Sequence, residues 1–132
     1  MSRLRPHLLF FILALPLALG AFWPGGQLRA QSATFVSVIA DLPLMTGLEE
    51  DVAAAVVFET DSGRIAQAVA SGVAEGRSVR KFYADTLPQL GWRLETPSRY
   101  RREGEVLVLE LAADPGQPGR VTIHFKLTPV AP

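Results

Sequence analysis

The chain has 132 residues, 13 basic and 13 acidic side chains and no cysteine. Without cysteine it forms no disulfide, carries no lipid-modified cysteine and offers no thiolate to a metal. With no net charge overall, any recognition by charge must rest on a local patch.

Arg3 and Arg5 precede an apolar run from Leu8 to Trp23, and Leu28-Arg29-Ala30-Gln31 supplies an exit of largely small and polar residues. This order reads as a signal peptide, residues 1–30, cut after Ala30 to release a periplasmic or secreted product. The alternative is a leader kept as an inner-membrane anchor. Against it, the run of sixteen residues is shorter than the roughly 20 that span a bilayer, and Pro16 and Gly20 interrupt it. Cleavage removes three arginines and leaves ten bases against thirteen acids, a net charge of −3. Such a protein is a poor general binder of nucleic acid, and it meets a membrane only if the leader is uncleaved.

Residues 31–48 read as a docking or linker segment ahead of a single α+β domain, residues 49–132. Within the segment, Thr34 to Ile39 has the composition of a short strand, while Asp41-Leu42-Pro43-Leu44-Met45 is apolar but broken by proline. Glu49-Glu50-Asp51 reads as a solvated helix or loop start. Val52 to Thr60 becomes β-branched and aromatic and enters the turn Asp61-Ser62-Gly63, so a strand followed by a tight turn is expected. Arg64 to Glu75 fits both a strand and a helix by period. The preceding turn and the helix-weakening Gly72 favour a returning strand.

Val79, Phe82, Tyr83, Thr86, Leu87 and Leu90 lie on one face of a 3.6-residue period, with Ser78 as N-cap and Gly91 as the stop. Pro88 predicts a break near Thr86 and a last loose turn. Three strands are expected to follow. Trp92 to Arg102 forms the first, disturbed at Pro97; Glu103-Gly104 then turns the chain into Glu105 to Leu111; Arg120 to Leu127 alternates apolar and polar throughout. The predicted fold is therefore an antiparallel sheet of about five strands, in the order β-β-α-β-β-β, with one helix packed on one face. Pairing Arg102 with Glu105 places Tyr100 opposite Leu107, on the helix side.

The sequence Phe82-Tyr83-Ala84-Asp85-Thr86-Leu87-Pro88-Gln89-Leu90-Gly91-Trp92, with Phe58 to Ile65 and Asp41 to Met45 before it, resembles a group of uncharacterised small exported bacterial proteins. The resemblance implies export and a helix followed by antiparallel strands. It transfers no site residue.

No catalytic or metal-binding motif emerges. His124 is the one histidine left after cleavage and lacks a partner ligand, no Gly-x-Ser-x-Gly elbow is present, and no loop carries calcium-type acidic spacing. The segment Gly72 to Ser78 matches no phosphate-binding pattern. No cofactor is expected. The same pairing that buries Tyr100 sends Arg99, Arg101, Val106, Val108, Arg120, His124 and Lys126 to the opposite face, where valines stand among bases. That composition suits a partner surface for an envelope protein or an anionic envelope polymer. The expectation is an exported, non-catalytic binding or assembly module of the bacterial cell envelope. The competing reading is a small periplasmic hydrolase or ligand-binding protein with a pocket between helix and sheet.

Overall fold

A computed structural model describes residues 34–130; the expected signal peptide and its expected cleavage site lie outside the described residues. The described residues form an α+β fold with one α-helix and a seven-stranded antiparallel sheet. The strands are β1 (Leu48–Glu50), β2 (Val56–Thr60), β3 (Gly63–Val73), β4 (Arg93–Thr96), β5 (Arg99–Arg102), β6 (Glu105–Ala113) and β7 (Arg120–Pro129). Helix α1 (Gly76–Thr86) separates β3 from β4. The sheet runs β1-β3-β7-β6-β5-β4, with β2 also beside β3.

Two more strands form than the five expected, one by division of an expected strand and one where no strand was expected. Pro97 does more than disturb a strand: with Ser98 it turns the chain, so β4 folds back on β5, with a shift of register between Leu94 and Thr96. Likewise, Glu49-Glu50 forms no helix or loop start but enters β1, paired with Ser71 and Ala70 of β3. Between β1 and β2, Val52–Ala54 makes a 3₁₀ turn, so the expected strand from Val52 begins only at Val56. The stretch from Arg64 is strand rather than helix as far as Val73, within β3; Ala74 and Glu75 lead into the helix.

The helix starts earlier than Ser78. Glu75 is extended and accepts the first helical bond, from the Val79 amide at 3.1 Å, so Gly76 opens the helix. It stops at Thr86, where Pro88 was expected to break it, and Leu87–Leu90 continues as a 3₁₀ turn. Gly91 closes that turn at φ +85°, a left-handed conformation that suits glycine.

The core follows from the strand alternation. Leu107, Ile123, Phe125 and Leu127 point to one side of the sheet and are at most 1% exposed, together with Tyr83 and Leu87. Each such burial contributes roughly 1.5–3 kcal/mol relative to exposure. Tyr83 meets Phe125 edge-on at 5.6 Å between ring centres. The register Tyr100↔Leu107 and Arg102↔Glu105 is as the turn chemistry predicts.

Residues 34–46 lie over the same side. Val36, Ile39, Leu42 and Leu44 are buried in the core cluster. The expected strand at 34–39 is replaced by turns closed by a single bridge, Phe35 to Pro43. The same cluster includes a strip of small residues on β3, Ala66, Ala68 and Ala70, which Gly72 continues. At position 72 a Cβ would lie 1.9 Å from the Gly47 carbonyl oxygen, so the backbones approach as only glycine allows. The Tyr83 hydroxyl donates to the Pro43 carbonyl at 3.1 Å, tying helix to segment. Burial raises the Tyr83 phenol well above its ordinary value, and a backbone hydrogen bond with Met45 opposes this in part.

Candidate functional site

With helix and segment on the inner side, among the described residues no helix is stacked on the other. This outer face shows through the register: Arg99 opposite Val108, Arg101 opposite Val106, Val108 opposite Lys126 and Glu110 opposite His124. It continues across β3 as Val69 opposite His124 and Val73 opposite Arg120. All seven residues expected on one surface, Arg99, Arg101, Val106, Val108, Arg120, His124 and Lys126, therefore share it. They are not equally available.

Arg99 and Arg101 both bind the Glu95 carboxylate of β4, through Arg99 Nε at 2.9 Å and through Arg101 Nε. Those two hydrogen bonds, the one from Arg101 first, hold the Glu95 carboxyl below its ordinary value. Glu95 escapes a reading of sequence because it reaches the face only through the hairpin at Pro97 and its register shift. Val106, which stands between Arg101 and Thr128, is 1% exposed and contributes packing rather than contact area. Arg120 donates from Nη2 to Ser71 Oγ at 2.8 Å.

Arg93, opposite Arg101, adds a base that the sequence reading did not include. The face then carries five strong bases, Arg93, Arg99, Arg101, Arg120 and Lys126, against Glu95 and Glu110. Arg93 and Lys126 form no ion pair among the described residues. His124 is exposed, opposite Val69 on one side and Glu110 on the other. Apolar area adjoins the charge at the β2 side, where Val56 and Phe58 pair with Gln67 and Ile65 on this face. Phe58 is 57% exposed.

Two open clefts, each of about 520 Å³, lie at the ends of the sheet. One, polar, is bordered by Arg93, Arg101, Arg102 and Asp41. Its Arg102 is already occupied: the guanidinium stacks 4.4 Å from the Trp92 ring centre and donates to the Leu90 carbonyl. The other, apolar, lies between Val73, Ala113 and Val121. Between helix and sheet the space is filled by Tyr83, Leu87, Leu107 and Phe125. No group of three or more His, Asp or Glu residues gathers to hold a metal among the described residues. Among them, too, no helix is long and apolar enough to cross a membrane. No protein-family model, curated protein or solved structure matches the chain.

Proposed function

We propose that the protein is an exported, non-catalytic binding module of the cell envelope, and that the outer face of its sheet receives an acidic surface of a partner protein. One observation carries the reading: a sheet face with no layer packed on it among the described residues, on which Lys126 stands opposite Val108 and His124 opposite Val69, with Arg93 on the same face toward β4. Bases flanking apolar area combine desolvation with charge-assisted contacts to carboxylates. The mature charge of −3 makes this local excess of base selective rather than general.

Arg93 and Lys126 are the residues to change, because reversing Arg99 or Arg101 would also release Glu95. The double variant Arg93→Glu with Lys126→Glu is expected to lose the proteins cross-linked to the native chain in intact envelopes, with an unchanged circular dichroism spectrum. Identical cross-linked partners in both chains would refute the reading. Retention on an anionic envelope polymer, with no protein partner lost, would shift it to that ligand.

A further inference from the structure

A second surface, at the margin of the sheet, has a different chemistry. β3 is flanked on one side by β7 and on the other by two shorter strands in line, β1 opposite residues 70–72 and β2 opposite residues 63–67. The far side of β2 pairs with no strand among the described residues. Sheet edges that are left open are ordinarily blunted by charge, proline or a bulge, because their unpaired amides and carbonyls recruit other strands. β2 has none of these in Val56-Val57-Phe58, where the three side chains are 37%, 44% and 57% exposed.

The direction of the open backbone groups follows from the ladder. The Val69 carbonyl of β3 accepts from the Asp51 amide, so odd-numbered residues of β3 turn their backbone groups toward this side. Their partners Val56 and Phe58 are thereby satisfied. Val57 and Glu59 turn N–H and C=O outward, a row ready for one more strand.

The charges around the row are of one sign. Glu49, Asp51, Glu59 and Asp61 are exposed and without an ion pair among the described residues. The neighbouring base, Arg64, is drawn to Glu105 at 3.3 Å. A second copy would bring the same acids to the same edge.

We propose that the β2 edge accepts an extended segment of a partner protein as an added strand, with alternating apolar side chains and lysine or arginine at its ends. The backbone bonds run to Val57 and Glu59, and the acids select the basic ends. This site is independent of the basic outer face and takes a ligand of opposite charge.

The test uses the full mature chain and a synthetic seven-residue peptide with valines at alternate positions and a lysine at each end. Fluorescence anisotropy is expected to show binding at least about tenfold tighter than for the same peptide ending in glutamates. Val57→Pro, which removes an outward N–H without touching the β3 ladder, is expected to weaken binding by about tenfold. Glu59→Lys with Asp61→Lys is expected to reverse the preference between the two peptides, and serves if the proline variant misfolds. Arg93→Glu with Lys126→Glu leaves peptide binding unchanged, which separates this site from the outer face. No binding of the lysine peptide, equal binding of both peptides, or a chain that dimerises through cross-links at Val57 would each overturn the proposal.

Discussion

The two ends of the sheet are built differently. At one end β4 is four residues long, shifts register, precedes Pro97 and carries Glu95 clamped by two arginines of its neighbour. At the other end β2 is regular in register through five residues, and its first three are apolar and exposed. Charge and irregularity discourage a further strand at β4, whereas β2 lacks both through Val56-Val57-Phe58 and carries its charge only at Glu59. Beside β2 the same margin changes character again: β1 is fastened to the overlying segment, with Ser37 donating from its amide and hydroxyl to Glu50 at 2.9 and 2.7 Å. A small sheet can thus close one edge, tie down half of the other and leave the remainder open.

The largest expected effect comes from the tied half. Gly72→Ala drives a Cβ into the Gly47 carbonyl and should cost about 2–3 kcal/mol, measured by urea unfolding. Near-native stability would mean that the segment is not held close to β3. Tyr83→Phe removes the bond from the helix to Pro43 and should cost about 1 kcal/mol.

The same phenol predicts alkaline behaviour. Its folded value is raised, so its contribution is intact below the unfolded value, near 10, and is lost as pH rises past it. Burial moves Tyr100 in the same direction. Stability should therefore fall at high pH with a shallower slope in Tyr83→Phe; parallel slopes would assign the effect elsewhere.

At β4, Glu95→Gln should speed amide exchange in Arg93–Thr96 with a small shift in Tm. The wild-type carboxyl is depressed, so the ion pairs persist above the unfolded glutamate range and loosen as pH falls through the folded value. A carboxyl titration by NMR that places Glu95 level with the other glutamates would contradict the clamp.

The smallest effect on stability belongs to β2. Val57→Lys should change unfolding by no more than about 0.5 kcal/mol, while raising the concentration at which the protein stays soluble. A loss as large as that of Tyr83→Phe would show that Val57 is packed rather than presented.

Most of what is periodic was legible in the sequence. The helix face, its break ahead of Pro88, the turn at Glu103-Gly104 and the alternation of β7 all follow from local rules, and together they set the inner and outer sides. The seven residues of the outer face were placed together for the same reason. What escaped depends on partners distant in the chain. Glu49-Glu50 has no strand character of its own and becomes β1 because β3 offers a ladder. Glu95 reaches Arg99 and Arg101 only once Pro97-Ser98 is known to be a turn. That Val56-Val57-Phe58 ends up on a margin is a property of strand order, which no period encodes.

The small strip on β3 has a consequence in time as well as space. On one side Ala66, Ala68 and Ala70 face Leu127, Phe125 and Ile123 of β7, far along the sequence. The core cluster that residues 34–46 join is not complete until those residues have paired. Docking of this early segment therefore waits on pairing with a strand distant in the sequence, and such non-local pairing slows folding. During refolding, its amides should be the last in the domain to become protected from exchange, which keeps the apolar residues Val36, Ile39, Leu42 and Leu44 available to a chaperone until the sheet is closed.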